Sequence, residues 1–229
     1  MFNPFSLLTA FSKGKIEAYW FETGTPTFVV NLLKKYKVAP SNIGEEQLTQ
    51  ADFNIPVEQA TNYFPLLYQS GYLTIKDCNL RYKSYTLDIP NQEVRLGLMR
   101  SLIPSYVTPD SSLTNRFIIK LAMSLDERNM DKALQLLQSF IGTIPYCDNT
   151  DDEGHYQQVL YIIFTLLGAY ADVEVHTSKG RIDLVIRTMS DLYIIEMKLD
   201  GTARDAIKQI DLKNYPDRFA LCNLPITTE

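Results

Sequence analysis

No GxxxxGK[ST] run occurs anywhere in these 229 residues. The nearest approach, Ser12-Lys13-Gly14-Lys15, lacks both the first glycine and a Ser or Thr after the lysine. Without a backbone cradle for phosphates the chain is expected neither to bind nor to hydrolyse ATP. Cysteine is scarce: Cys78, Cys147 and Cys222 are far apart and form no CxxC or Cys/His spacing, which excludes a zinc motif and a disulfide framework. The two histidines, His155 and His176, add no metal motif. Reduced thiols are most simply housed in a cytoplasm, the expected location. The amino terminus, MFNPFSLLTAFSKGK, has no cationic stretch ahead of an apolar one and no small-residue cleavage site, so no secretory signal is expected. The longest apolar run, residues 159–171, is broken by Thr165 and Gly168 and is too short to span a bilayer. A core helix is the expectation there, and a membrane is not an expected partner.

Basic excess is missing too. The chain carries 22 Lys and Arg against 27 Asp and Glu, a net charge of −5. Residues 151–229 account for all of it, with eight Lys/Arg against thirteen Asp/Glu. Phosphate contacts dominate affinity for nucleic acid, so this half by itself should bind a polyanion weakly.

What is present is concentrated in residues 180–198, GRIDLVIRTMSDLYIIEMK. Ile182, Leu184 and Ile186 alternate with Asp183, Val185 and Arg187. Met189-Ser190-Asp191 supplies turn residues, and a second β-rich run follows from Leu192. The pattern predicts a hairpin. Residues two apart on a strand share a face, roughly 6.5 to 7 Å apart, so Glu196 and Lys198 lie together with Met197 turned away. A connection centred near Ser190 sets Asp183 opposite the 196–198 segment. Two carboxylates so placed suit a hard divalent cation such as Mg²⁺, and a neighbouring lysine suits the charge and water positioning that phosphodiester cleavage requires. In isolation, Glu-x-Lys reads as a solvated strand face with a marginal ion pair.

The flanks add context. EGHYQQVLYIIFTLLGAY, starting at Glu153, has Tyr156, Val159, Leu160, Ile163, Leu166 and Leu167 at helical spacing, with Gly168 at its end. A carboxylate in a helix's first turn is also favoured by the dipole alone. Downstream, Thr202 can cap a helix bearing Ala203, Ala206, Ile207, Gln209 and Ile210, which should stop before Pro216.

Helix with Glu, strand, strand with Asp, strand with Glu-x-Lys, helix with Gln: this order resembles the PD-(D/E)XK nuclease superfamily. HTSKGRIDLVI, YIIEMKLDGTARDAIKQI and YPDRFAL look like the nuclease domain at the carboxyl end of bacterial AAA-ATPase-like proteins. The resemblance implies Asp183 and Glu196 as metal ligands and Lys198 as the catalytic lysine. It also implies Glu153 as the accessory acid of the first helix, a catalytic and metal-binding residue, and Gln209 as the helical motif residue. The superfamily's Pro-Asp is Ile182-Asp183 here. Mg²⁺ or Mn²⁺ would be the cofactor and nucleic acid the partner, DNA ahead of RNA. In relatives the segment like RFALCNLPITT runs into a further core strand, so the fold is expected to stop short of its last core strand.

Upstream, NPFSLL and YWFETGTPTFVV resemble the end of the AAA-ATPase-like domain of the same family, so an AAA-ATPase-like core is expected in full-length relatives. Thr25-Pro26 should start an amphipathic helix with Phe28, Val29, Leu32 and Leu33 on one side. A helix over 57–69 ended by Gly71, strands at 72–75 and 82–89 around Asp77-Cys78-Asn79, and a helix from Pro90-Asn91 through Leu102 suggest a winged-helix-like unit, a fold used on DNA or as an internal packing module; with only Lys76, Arg81 and Lys83 scattered over its surface, packing is the expected role. Further helices are predicted at 112–126 and at 130–140, the latter with Leu134, Leu137 and Phe140 on one side. The polar run CDNTDD marks the expected boundary. Residues 1–147 would then be a helical, winged-helix-like module and 148–229 an α/β, restriction-endonuclease-like αβββαβ domain. The function so implied is metal-dependent hydrolysis of phosphodiesters. The alternative is an inactive nuclease fold serving as an interaction or regulatory module.

Overall fold

The computed structural model describes residues 4–15, 19, 27–44, 46–54, 63–107, 110–144, 152–178, 181–198 and 225–228. They fall into two compact units, Met1–Leu102 and Ile103–Glu229. That division lies ahead of the polar run near residue 147, because the helices between 103 and 144 pack within the second unit.

The first unit contains α1 (Pro4–Lys13), α2 (Thr27–Lys35), β1 (Glu46–Thr49), α3 (Phe64–Gln69), β2 (Thr74–Asn79), β3 (Ser84–Asp88) and α4 (Gln92–Leu102). Residues 57–62 of the expected longer helix lie outside the described residues. α2 packs on α4, burying Val29, Leu32 and Leu33, whereas Phe28, expected on that stripe, is 58% exposed. The strands form an antiparallel sheet in the order β1-β3-β2. Gly71 ends α3 with φ +81°, a left-handed turn that glycine adopts without steric cost. The β2–β3 connection falls at residues 80–83, later than the Asp77-Cys78-Asn79 turn expected from the sequence. Its cause is local: the Asn79 carboxamide oxygen accepts from the backbone N–H of Arg81 (3.1 Å) and Tyr82 (3.3 Å), and Lys83 takes φ +51°. A register shift between Ile75 and Asp77 absorbs the extra residue.

The second unit contains α5 (Ser111–Asp126), α6 (Met130–Ile141), α7 (Asp152–Leu167), β4 (Asp172–Ser178), β5 (Arg181–Arg187), β6 (Leu192–Lys198) and β7 (Ile226–Thr228). Asp110 caps α5 by accepting from Leu113 N–H at 2.8 Å. Asp110→Ala should therefore cost about 1 kcal/mol, read as a lower urea midpoint at unchanged denaturant slope. α5 ends in a Schellman turn: Asn129 N–H donates to Ser124 O, Arg128 N–H to Leu125 O, and Arg128 itself is left-handed with φ +56°. Asn129 then caps α6, its side chain accepting from Lys132 N–H at 3.0 Å.

β4-β5-β6-β7 form one sheet in chain order, antiparallel except for the parallel β6–β7 pair. β7, three residues long, is the fourth strand of this sheet. The β-branched run Ile226-Thr227-Thr228 pairs beside Leu192, Tyr193 and Ile194, and Leu192 N–H donates to Pro225 O at 2.9 Å. α5 packs on α6 and α7, and α7 on β4 and β5. Their common seam is apolar, with Leu125, Phe164, Leu167, Ile186, Ile195 and Met197 around one small cavity. Leu134 reaches that cavity from a surface position, 45% exposed, rather than lying buried beside Leu137 and Phe140. The helix expected at 202–210 lies outside the described residues. No described helix is long and apolar enough to cross a membrane.

Candidate active site

The hairpin of β5 and β6 is set by its turn. Thr188 N–H donates to Asp191 O at 2.9 Å, while Thr188 Oγ1 accepts from Asp191 N–H at 3.1 Å and Ser190 N–H at 3.3 Å. Asp191 is buried, and its carboxylate accepts from Ser190 Oγ and from Arg128 Nε at 2.8 Å. Burial pushes its pKa up, but the hydrogen bonds from Ser190 and Arg128, with the Arg128 charge, outweigh that and hold it below the usual carboxylate range. Two residues on, Tyr193 Oη donates to Leu125 O at 2.7 Å, and burial, aided by the Asp191 charge, raises the phenol's pKa. These bonds tie the turn to the end of α5.

From that turn the ladder runs without a slip: Arg187 opposite Leu192, Val185 opposite Ile194, Asp183 opposite Glu196, Arg181 opposite Lys198. Directly opposed residues share a face, with Cβ atoms about 4.5 to 5.5 Å apart. Asp183 and Glu196 are therefore neighbours on one face, and both are buried, at 9% and 6% exposure. Ile186, Ile195 and Met197 point to the other face, into the seam with α5, α6 and α7. Two carboxylates opposed in a ladder repel each other when both are charged. Their donor set fits a hard cation: carboxylate oxygens only, on a rigid pair of strands.

The other expected residues are less closely gathered. Lys198 occupies the last position of β6, two residues after Glu196, with Arg181 as its register partner, and its side chain lies outside the described residues. Glu153 stands in the first turn of α7, and its side chain lies outside the described residues. That turn is anchored by His155, whose Nε2–H donates to Tyr106 O at 3.0 Å while the rings stack at 5.7 Å. Gln209 lies outside the described residues. Among the described residues no group of three or more His, Cys, Asp or Glu is clustered for a metal ion.

Motif reading missed His176. It is the register partner of Asp183 on β4, exposed, and it extends the row of Asp183 and Glu196 across a third strand. The signal was available in the two-residue spacing between Ser178 and Arg181, which sets the β4–β5 register.

A strand hairpin bearing opposed buried acids, preceded by a helix and a strand and flanked by a parallel fourth strand, defines a nuclease-like α/β domain. The family model of the PD-(D/E)XK nuclease superfamily matches residues 151–228, and the carboxyl-terminal part of the chain is a domain of that superfamily. Over 99% of its length the chain is 32% identical to an Azotobacter chroococcum mcd 1 protein described as the uncharacterized protein in the vnfD 5′ region. The chain spans 45% of that relative, somewhat under half its length. No solved structure matches the chain.

Proposed function

We propose that residues 148–229 form a metal-dependent nuclease domain that hydrolyses phosphodiester bonds in nucleic acid, DNA rather than RNA. The observation that carries this reading is the buried register pair Asp183 and Glu196 within the stretch matched to the superfamily. Asp183 and Glu196 would hold Mg²⁺ or Mn²⁺, with Glu153 as an accessory ligand. A cation there supplies Lewis-acid polarisation of the phosphate and a lowered pKa for water. Lys198 orients the attacking water and offsets negative charge gathering on the phosphate oxygens. Gln209 helps position these groups from the following helix. Burial of the two acids lowers the local dielectric and strengthens each of these interactions.

Residues 1–147 are read as a winged-helix-like and helical module that follows an AAA-ATPase-like core in longer relatives. The β1-β3-β2 order, with α3 leading into β2 and α4 following β3, supports the winged-helix part. A cytoplasmic location fits the cysteine pattern. The acidic balance of residues 151–229 favours one second reading, a nuclease fold without activity that serves as an interaction module.

The two readings part in one set of assays on the whole chain. Plasmid and oligonucleotide substrates, DNA and RNA, are incubated with Mg²⁺, Mn²⁺ or EDTA, and Mn²⁺ binding is followed by calorimetry. The expected result is cutting only with metal, together with saturable Mn²⁺ binding that Glu196→Gln abolishes while the chain stays folded. Cutting that persists in EDTA would refute the metal site. The absence of both cutting and Mn²⁺ binding would favour the interaction module.

A further inference from the structure

The line of residues across the sheet does not end at the buried acids. β4, β5 and β6 pair without a register shift, so His176, Asp183 and Glu196 stand in one row, with His176 directly opposite Asp183. Opposed residues share a face with Cβ atoms about 4.5 to 5.5 Å apart, which sets the His176 side chain next to that of Asp183, on the side away from Glu196. Exposure changes along the row. Glu196 and Asp183 are buried, while His176 is exposed on β4, the edge strand among the described residues. The same alternation exposes Asp172 and Glu174 and half-buries Val173 and Val175. Asp172 is engaged by Arg187 Nη1 at 3.2 Å. Among the described residues the His176 ring has no hydrogen-bond or ion-pair partner, so its loss should cost the fold little. An exposed histidine with nothing to hold is common on a surface, and what sets this one apart is its neighbour.

The three side chains do not make one ligand set, since no group of three or more His, Cys, Asp or Glu is clustered for a metal ion among the described residues. From the middle of the acid pair to His176 is one and a half strand spacings, about 7 Å. That step is comparable with the one between successive phosphates of a nucleic-acid strand. An imidazole carries an N–H donor in its neutral and its charged form, and donors are scarce here: residues 151–229 hold eight Lys/Arg against thirteen Asp/Glu. Glu174, exposed two residues earlier on the same face, repels phosphate and leaves the row of His176 as the way across β4.

We propose that His176 donates a ring N–H to the phosphate next to the scissile one, and so sets the direction in which a nucleic-acid strand crosses the sheet, from β6 toward β4. This rests on the nuclease reading above, which puts the scissile phosphate at Asp183 and Glu196. His176 touches the substrate but not the reacting atoms. Its contact is the same before and during bond breaking, so it acts on KM and leaves kcat.

The test uses the whole chain, Mg²⁺ and an end-labelled DNA duplex in which one phosphate is replaced by a neutral methylphosphonate, with cutting resolved linkage by linkage on a sequencing gel. Wild type is expected to cut about 10 to 100-fold less at the linkage on one side of the methylphosphonate, the fold-change of one lost hydrogen bond to a charged group. His176→Ala should lower kcat/KM on the unmodified duplex by a similar factor, through KM, and should lose the local deficit beside the methylphosphonate. His176→Gln keeps an N–H donor and should restore part of both. A folded His176→Ala chain with wild-type KM, or one that keeps the deficit, overturns the proposal and leaves the nuclease reading intact. A wild type that does not cut removes that reading, and the contact is then decided by the anisotropy of a fluorescein-labelled duplex in Ca²⁺. Weaker binding by His176→Ala, recovered in part by His176→Gln, upholds the contact, whereas equal or absent binding overturns it as well.

Discussion

Lys198→Ala will slow metal-dependent cleavage by about 10² to 10³-fold, the usual loss when a stabiliser of transition-state charge is removed. It will leave the thermal midpoint unchanged, because a lysine at the last position of a strand contributes little to folding. Mn²⁺ binding will also persist, since the carboxylates of Asp183 and Glu196 are the expected ligands and Lys198 is not. This combination is diagnostic. A structural lysine would lower stability and activity together, and a lysine that merely attracts substrate would raise KM with kcat intact. Lys198→Arg keeps the charge but changes the donor geometry, and should recover only part of the rate. Measured single-turnover rates at saturating substrate decide the matter. Wild-type cutting by the alanine variant would remove Lys198 from the mechanism.

Arg128→Ala will destabilise the second unit by about 2 to 3 kcal/mol, because it strips a charged hydrogen bond from a buried carboxylate. The upper end of the usual range for a broken buried pair is not expected, since the Arg128 side chain is itself 60% exposed. Arg128→Gly should be milder by about 1 kcal/mol, because glycine relieves the left-handed backbone at φ +56° while making the same deletion. The difference between the two variants thus isolates the backbone strain from the ion pair. pH gives a second handle. Asp191 has a folded-state pKa below its unfolded value, so its contribution is fully present above about pH 4, the unfolded value. It is lost as pH falls through the folded one. Urea midpoints of wild type and Asp191→Asn should be well separated near neutrality and converge in that acid range. Midpoints that stay parallel down to acid pH would show that the pair does not set the stability of this turn.

The hairpin was legible because two signals agreed. The alternation of Ile182, Leu184 and Ile186 named one face, and Met189-Ser190-Asp191 marked the turn, so counting placed Asp183 opposite the 196–198 segment and the ladder sets it opposite Glu196. α5, α6 and α7 were legible for the same reason, apolar spacing bounded by caps. The β2–β3 turn was not, because the side chain of Asn79 moved it: a local hydrogen bond outweighed the turn character of Asp77-Cys78-Asn79. Phe28 and Leu134 stay partly exposed because periodicity names a stripe but not how far its neighbours cover it. The importance of Asp191 was invisible. It reads as an ordinary turn residue until a guanidinium 63 positions earlier in the chain is brought to it. Composition likewise marked a loop near residue 147, whereas the compact units divide at Leu102, since compactness depends on α5 and α6 packing with α7. For the proposed roles of Glu153, Lys198 and Gln209, family resemblance supplied what spacing alone did not.

The uninterrupted ladder between the turn and Glu196 has a consequence for how such a domain can change over descent. Side chains alternate strictly, so one residue inserted or deleted between Leu192 and Glu196 would swing the acid from its own face into the apolar seam beside Phe164. Exchanges among Leu, Ile, Val and Tyr at residues 192–195 alter volume and can be accommodated by repacking. An altered count cannot. Length is therefore the inherited quantity in this segment and composition the negotiable one, and homologues that keep the acid pair are expected to vary here by substitution and never by a single-residue gap.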